Sequence, residues 1–218
     1  MKKLYIIGAG GFGREVLWLV KRINKAVPAW EMAGFLDDNE LFHGTLQDGH
    51  PVLSGCSYLK DLREDVYVVV AIGSARGRRK VVEKLMEYEK VHFATLVDPS
   101  VLCSEYVEIG EGSILCAGTI LTTDIVIGKH VIINLDCTVG HDAVISDYVT
   151  IYPSVNISGG VTVGEASELG TGANLIQGKK IGERAIIGAG AVVINDIVDD
   201  CTAVGSPARV VKYHKLNH

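Results

Sequence analysis

The sequence lacks the features that would point to a nucleic-acid-binding or membrane protein. Its 218 residues carry 21 Lys and Arg against 26 Asp and Glu, a net charge of −5, which argues against a surface for nucleic acid or for an anionic membrane. The apolar run at residues 4–7 is too short for a signal peptide or a membrane span, and Arg14 soon follows it. We therefore expect neither nucleic acid nor membrane as a partner.

The sequence also lacks the paired cysteines that are typical of metal sites and of disulfide-rich proteins. The five cysteines are odd in number and none forms a CxxC pair; they are Cys56, Cys103, Cys116, Cys137 and Cys201. Such a pattern favours reduced, structural thiols, and hence a cytoplasmic protein.

A six-residue repeat dominates the second part of the sequence. From Val97 to Val193 every sixth residue is Val, Ile or Leu, with Cys103 as the one exception, while the second position is often Gly and the fifth is mostly small or β-branched. A period of six fits neither an amphipathic helix nor an alternating strand. It predicts a triangular parallel β-helix over 97–218, ending in a C-terminal tail, with three hexads in each coil. The aliphatic residues would fill the prism and the fifth residues would lie at its tight corners.

Residues 1–96 follow a different pattern, typical of a small α/β domain. The predicted strands and helices alternate along the chain: Leu4–Ile7, helix Glu15–Ile23, Met32–Leu36, Val66–Ile72, helix Arg78–Tyr88 and His92–Leu96. This order predicts a small Rossmann-like parallel sheet whose ligands bind at the carboxyl ends of the strands.

Gly8, Gly10 and Gly13 have the GxGxxG spacing between the first strand and the first helix. Such glycines let the backbone approach a phosphate at a helix N-terminus, although a tight turn that binds nothing is the alternative. Asp37 follows the second strand, near the place where a ribose is held. Because residues 1–96 cannot hold both halves of a dinucleotide fold, a mononucleotide or nucleotide-sugar fits better than NAD.

One corner of the repeat carries candidate chemistry. Residues 18 apart should stack in successive coils, so the His141-Asp142 corner has side-chain-poor neighbours; the column is Thr123-Asp124, His141-Asp142, Gly159-Gly160, Gln177-Gly178 and Asn195-Asp196. Asp142 could orient the ring of His141 as a general base, and Gly159 offers an amide to an oxyanion. The alternative is an innocuous turn histidine.

The remaining polar candidates of the repeat have simpler interpretations. His130 falls on a different corner, stacked with Gly112 and Tyr148, and we predict a surface residue. The repeat lacks the three clustered histidines of a metal site, so no metal is expected. Cys137 is at a fifth position, which turns it inward and away from nucleophilic chemistry.

Several motifs together resemble a known family. The hexads, Val139-Gly140-His141-Asp142, Ser158-Gly159-Gly160-Val161 and Gly205-Ser206-Pro207-Ala208-Arg209 resemble bacterial hexapeptide acyltransferases. With the loop Gly8–Gly13, Asp37-Asp38 and Ala71-Ile72-Gly73, nearly the whole chain resembles the sialic-acid O-acetyltransferase and UDP-4-amino-sugar N-acetyltransferase family.

The resemblance implies an acetyl-CoA-dependent enzyme of bacterial surface glycan biosynthesis that N-acetylates a nucleotide-linked amino sugar. It implies a left-handed β-helix, a homotrimer with sites between chains, and His141 as general base beside Asp142. It places acetyl-CoA at Gly159, Thr171 and Ala189, and the nucleotide-sugar at Gly10, Gly11, Phe12, Asp37, Asp38 and Gly73. The missing side chain of Gly159 suggests that cofactor atoms occupy that space, while a left-handed backbone that requires glycine is the alternative. Thr150 is also assigned to acetyl-CoA, although it replaces a second histidine of the UDP-4-amino-sugar enzymes.

Two alternatives remain open from the sequence. One keeps acetyl-CoA but transfers the acetyl group to a hydroxyl of sialic acid or a related sugar. The other is a non-catalytic scaffold that binds a nucleotide-sugar, against which the bare corners beside His141 argue.

Overall fold

The chain, seen in a computed structural model that describes residues 1–214, forms two compact units, Met1–Pro99 and Ser100–His218. The last residues of the predicted C-terminal tail, 215–218, lie outside the described residues. Neither α-helix in the described part is long and apolar enough to cross a membrane.

The first unit is a six-stranded, mostly parallel sheet in the order β3-β4-β2-β1-β5-β6, in which only β3 runs antiparallel to its neighbour β4. The elements of this unit are β1 (Lys2–Ile7), α1 (Gly11–Ala26), β2 (Trp30–Leu36), a 3-10 turn (Glu40–Phe42), β3 (Leu46–Gln47), β4 (His50–Ser54), a 3-10 helix (Cys56–Asp61), β5 (Val66–Val70), α2 (Ala75–Leu85), β6 (Val91–Phe93) and β7 (Leu96–Val97). The predicted Rossmann-like sheet is confirmed.

Several boundaries differ from the sequence prediction. The hairpin β3–β4 was missed because its strands are short and largely exposed. Helix α2 begins before Arg78 because Ser74 caps it, accepting a hydrogen bond from Gly77 N at 3.4 Å. The single predicted strand His92–Leu96 is in fact two short strands, β6 and β7.

The central strands β1 and β5 carry continuous buried runs, typical of a parallel sheet covered on both faces. Helix α1 covers the sheet with Val16, Leu17 and Val20. Since β1 lies between β2 and β5, the strand order reverses at β1. The loops that follow β1 and β5 therefore flank the crevice where open α/β sheets bind their ligands.

The second unit is a left-handed parallel β-helix with three sheets, each built from every third strand. Its strands are β8 (Leu102–Cys103), β9 (Val107–Ile109), β10 (Ile114–Leu115), β11 (Ile120–Leu121), β12 (Ile125–Ile127), β13 (Ile132–Ile133), β14 (Thr138–Val139), β15 (Val144–Ile145), β16 (Thr150–Ile151), β17 (Asn156–Ile157), β18 (Thr162–Val163), β19 (Glu168–Leu169), β20 (Asn174–Leu175), β21 (Lys180–Ile181), β22 (Ile186–Ile187), β23 (Val192–Val193), β24 (Cys201–Val204) and β25 (Arg209–Tyr213).

The hexad pattern predicts the inside of this prism well. From Leu115 to Val193 every first-position residue is at most 2% exposed, and the small fifth-position residues of these hexads are buried as well. Cys103 is exposed instead, because β8 is the edge strand of its sheet. At the fourth position every hexad from Gly112 to Gly190 adopts the left-handed conformation, with φ between 53° and 79°, which explains the Gly and Asp residues found there.

The repeat ends in a tighter coil than the sequence predicts. Ile197 bridges to Ile181, a separation of 16 residues instead of 18, and the carboxylate of Asp196 accepts a hydrogen bond from Lys180 N at 2.9 Å. The prediction that Asn195-Asp196 continues the 18-residue stacking is therefore wrong. The antiparallel pair β24–β25 then closes the end of the sheet.

Candidate active site

The His141 corner combines an exposed ring with a fixed carboxylate. Asp142 occupies the left-handed fourth position, with φ 59°, and its Oδ2 lies 2.7 Å from Nδ1 of His141. An ionised carboxylate can only accept, so Nδ1 carries the proton of this bond and Nε2 of the neutral ring keeps a lone pair. The His141 side chain is 55% exposed, so a substrate can reach the ring.

The predicted column of corners is present around His141. Asp142 N donates to Thr123 O at 3.2 Å, and Gly160 N donates to His141 O at 2.7 Å. Gly178 N donates to Gly159 O at 3.0 Å, which continues the column by one coil. Gly178 has open space where a side chain would be, while the neighbouring Gln177 carries an exposed side chain, so the corner beyond His141 is bare only on the Gly178 side.

Gly159 itself is not bare in the predicted sense. A Cβ atom at Gly159 would lie 2.5 Å from both Cε1 and Nε2 of His141, so the imidazole ring already fills the space expected to hold cofactor atoms. Left-handed backbone, the other explanation for this glycine, is also wrong, because Gly159 does not have a positive φ. Within residues 1–214 its N–H makes no hydrogen bond.

The three other residues assigned to acetyl-CoA occupy two different environments. Thr171 and Ala189 are exposed and share a corner column, since Gly190 N donates to Thr171 O at 2.8 Å. Thr150 begins β16 and is only 1% exposed. This burial argues against a direct contact between the Thr150 side chain and acetyl-CoA.

The glycines after β1 differ in what the fold requires of them. Gly8 has φ 106°, and a Cβ there would lie 2.9 Å from Ala71 O, while a Cβ on Gly13 would collide with the carbonyl oxygen of Gly8. These two are explained by backbone geometry alone. Gly10 and Gly11 have nothing within 4 Å of a Cβ atom, so the space at the N-terminus of α1 is open.

Asp37 braces this glycine loop. Its Oδ2 accepts a hydrogen bond from Ala9 N at 2.8 Å and its Oδ1 accepts one from Asn39 N at 2.9 Å. Gly8 in turn approaches the end of β5, next to the half-buried Gly73. Phe12, also half-buried, lies in the first turn of α1. The structure thus brings the glycine loop together with Asp37 and with the loop that contains Gly73.

Asp38 faces a different set of groups. Its Oδ1 accepts a hydrogen bond from Cys56 N at 2.7 Å, and its Oδ2 lies 3.4 Å from Lys84 Nζ. Burial alone would raise the pKa of Asp38, but the Cys56 N–H and the Lys84 ammonium outweigh it and lower that pKa. Asp38 is therefore an ionised carboxylate. It is half-exposed and follows Asp37, the residue that holds the glycine loop.

Arg78 is a residue of this region that the sequence analysis missed. It is 1% exposed, and its Nη1 donates to Ile72 O at 2.7 Å and to Gly73 O at 3.1 Å. The sequence does contain a signal for this role, because Arg78 lies in the first turn of the helix that follows Gly73-Ser74. From there its guanidinium can reach back to the loop after β5.

The prediction that His130 is a surface residue is wrong. The predicted stacking is present, with the rings of His130 and Tyr148 5.3 Å apart and 14° from parallel, and Gly112 abuts the other side of His130. Because the ring is held between these two neighbours it is only 4% exposed. Among residues 1–214, no three His, Cys, Asp or Glu side chains come together as metal ligands would.

Comparison with known proteins gives matches over nearly the whole chain. Residues 3–85 match the family described as the PglD N-terminal domain. UDP-N-acetylbacillosamine N-acetyltransferase of Bacillus subtilis (strain 168) is 37% identical over 120 residues, an alignment that spans 54% of this chain and 52% of that protein. The match therefore extends over about half of that curated relative.

Solved structures match over nearly the full length. PerB from Caulobacter crescentus, in complex with CoA and GDP-perosamine, is 31% identical with a TM-score of 0.88, covering 97% of this chain and 98% of that one. WeeI from Acinetobacter baumannii AYE is 34% identical with a TM-score of 0.88, covering 97% and 100%. The acetyltransferase domain of PglB from Neisseria gonorrhoeae FA1090, in complex with acetyl coenzyme A, is 31% identical with a TM-score of 0.86, covering 96% and 99%. The Caulobacter enzyme has also been solved with a histidine replaced by asparagine or alanine, with CoA and GDP-perosamine bound in both variants.

Proposed function

The chain belongs to the family of sialic-acid O-acetyltransferases and UDP-4-amino-sugar N-acetyltransferases, and we propose that it transfers the acetyl group of acetyl-CoA to the amine of a nucleotide-linked amino sugar. The observation that carries the proposal is the imidazole of His141, whose side chain is more than half exposed and whose Nδ1 is held 2.7 Å from Oδ2 of Asp142. Relatives of similar length are N-acetyltransferases of amino sugars, which favours the amine over a hydroxyl as acceptor.

The proposed reaction is a direct transfer. The sugar amine attacks the thioester carbonyl carbon, and Nε2 of His141 takes the proton that the amine loses as the C–N bond forms. The C–S bond then breaks, and CoA leaves as a thiolate that accepts a proton from the imidazolium. Asp142 stabilises the positive charge on the ring and holds its tautomer.

The groups around His141 suit this chemistry. The N–H of Gly159 has no acceptor within residues 1–214, and a free backbone N–H can stabilise the developing oxyanion. Cys137 precedes His141 by four residues, but its thiol is fully buried and burial raises its pKa to about 11. A covalent acetyl-cysteine therefore has no role in the proposal.

The nucleotide-sugar would bind at the glycine loop of the first unit. Gly10 and Gly11 leave room at the N-terminus of α1, since among residues 1–214 nothing beyond their chain neighbours lies within 4 Å of a Cβ at either position, and the first-turn amides there suit a phosphate. We propose that Phe12, Asp37, Asp38 and Gly73 complete this site. Since Asp37 already accepts two backbone amides, it acts chiefly by fixing the loop.

Acetyl-CoA would bind along the β-helix beside Thr171 and Ala189, and only the backbone N–H of Gly159 would reach its thioester, because the His141 ring fills the space over that glycine. We further propose a homotrimer with active sites between chains, because the outer faces carry exposed aliphatic side chains that another copy would cover, among them Ile120, Val126, Val144, Ile176 and Ile186. A cytoplasmic location is supported by the five free cysteines.

The test is acetyl transfer itself, measured as CoA thiol release with a panel of acceptors. UDP- and GDP-linked 4-amino sugars should support turnover, whereas the same nucleotide-sugars with a hydroxyl in place of the amine should not. Release of CoA with sialic acid or CMP-sialic acid only would replace the proposal with O-acetylation. A correctly folded protein that binds nucleotide-sugars but releases no CoA with any acceptor would indicate a scaffold.

The oligomeric state has its own test. Light scattering at micromolar concentration should give a mass of about three chains, since the buried aliphatic faces stabilise the assembly. A monomer that retains full transferase activity would contradict active sites shared between chains.

A further inference from the structure

The third position carries a side chain in every hexad except one. From Glu105 to Asn195 these residues include Ala, Thr, Leu, Pro and many charged types, and Gly159 is the single glycine among them. The β-helix therefore accepts a side chain at its third position in general. A local feature around Gly159 must therefore exclude a side chain at this position.

The backbone does not account for this exclusion. Gly159 does not have the positive φ that requires glycine. It also differs from the second-position glycines, where a Cβ would collide with the chain of the next coil: at Gly140 that atom would lie 2.6 Å from Gly159 N and 2.9 Å from Ser158 C. At Gly159 the three nearest atoms are instead Cε1, Nε2 and Cδ2 of His141, at 2.5, 2.5 and 2.9 Å.

The ring of His141 thus lies over the bare Cα of Gly159. It needs such a support because the side chain is more than half exposed and has no core packing to fix its rotamer. The hydrogen bond to Asp142 holds the Nδ1 edge of the ring, and Gly159 admits its Cε1–Nε2 edge. Gly159 is buried, and the atoms nearest to its missing side chain belong to the His141 ring.

We propose that Gly159 is a positioning residue for His141: its missing side chain forms a slot that seats the imidazole ring, keeps the Asp142 bond intact and aims Nε2 at the acceptor amine. The kinetic part of this inference rests on the proposed function, while the seating of the ring does not. In Gly159→Ala the ring is the movable partner, so it leaves the slot and the fold persists.

Two measurements that are independent of turnover test the slot. In a double-mutant cycle on melting temperature, any Tm loss caused by Gly159→Ala in the wild-type chain should vanish in the His141→Ala background, because the collision disappears with the ring. Side-chain 15N shifts of His141 should show the Nδ1–H tautomer in the wild type and a mixture of tautomers in Gly159→Ala, as in Asp142→Asn. A Tm loss that persists in the His141→Ala background, or an unchanged tautomer, would overturn the proposal.

Kinetics then connect the slot to transfer. Gly159→Ala should lower kcat by about 10–100-fold, the scale expected when a reacting group is misplaced by an ångström, with a smaller change in KM for acetyl-CoA. Gln177→Ala, one coil further along the same column, is the matched control and should keep its kcat. A rise in KM for acetyl-CoA with unchanged kcat would assign Gly159 to the acetyl-CoA site instead of the slot. If the wild type transfers no acetyl group at all, the proposed function fails, and the two preceding measurements still decide the slot.

Discussion

His130 and His141 stand at corners of the same β-helix, and each has a glycine one coil away against which its ring is placed. The order of the neighbours differs. His130 has Gly112 on one side and the stacked ring of Tyr148 on the other, so it is buried at 4% exposure. His141 has Gly159 on one side and, on the other, only the short side chain of Thr123, so it remains 55% exposed.

The difference shows that a histidine in a repeat is assigned by the residues one coil before and after it. A ring with an aromatic residue on its open side becomes part of the packing. A ring with glycine on one side, no large side chain on the other and a carboxylate at its Nδ1 becomes a candidate base. The comparison therefore predicts a kinetic role for His141 and a structural role for His130.

The largest expected effect belongs to His141→Ala. Loss of a general base should reduce kcat by about 10²–10⁴-fold, and the melting temperature should stay near that of the wild type because the side chain is exposed. Steady-state CoA release and calorimetry measure the two quantities. Near wild-type turnover in the folded variant would erase the distinction between the two histidines.

Asp142→Asn should reduce kcat less than the loss of the ring does. The amide can still approach Nδ1, but it does not stabilise the imidazolium and it allows the wrong tautomer. We expect a loss of about 10–100-fold in kcat, the scale found when the hydrogen-bond partners of metal-bound histidines are removed. A variant with unchanged kcat would show that the 2.7 Å contact has no part in the reaction.

His130→Ala should give the opposite result. Removing a ring packed between Gly112 and Tyr148 should cost about 2 kcal/mol of unfolding free energy, a fall in Tm of about 4–8 °C for a chain of this size, with kcat per folded enzyme retained. Thermal unfolding and active-site-normalised kinetics check both values. A stable variant with a large loss of kcat would mean that the wrong histidine has been assigned to catalysis.

The smallest effect is expected for Cys137→Ala. Cys137 lies four residues before His141, with its side chain inside the β-helix. Since the thiol is buried and its pKa is raised to about 11, kcat should change by less than about twofold, with only a modest loss of stability. An acetylated Cys137 detected by mass spectrometry of the working enzyme would contradict direct transfer.

The sequence predicted the repeat because one aliphatic residue in six is a strong signal, and from Leu115 onward each of these side chains is buried. The column around His141 followed from counting, and Gly160 N and Gly178 N make the backbone contacts it requires. Boundaries in the first unit were less accurate, since caps such as Ser74 and short exposed strands such as β3 leave a weak pattern.

The remaining errors share a physical cause. The burial of His130, the ring seated on Gly159 and the loop-holding role of Arg78 all depend on which side chain occupies a given space. The hexad period predicts where the backbone runs, but it does not predict which side chain fills the space between two coils. The tight last coil at Ile197 escaped prediction for a related reason, because a 16-residue separation has no signature within a hexad pattern.

Binding and turnover measured on one variant, His141→Asn, test the central claim most directly. Because asparagine is smaller than histidine and the His141 side chain is more than half exposed, this variant should bind acetyl-CoA and a nucleotide-linked amino sugar with dissociation constants close to those of the wild type. Calorimetric titration gives those constants, and CoA release under the same conditions should fall by about 10²–10⁴-fold. Intact binding with intact turnover, or loss of binding together with loss of turnover, would contradict His141 as the general base.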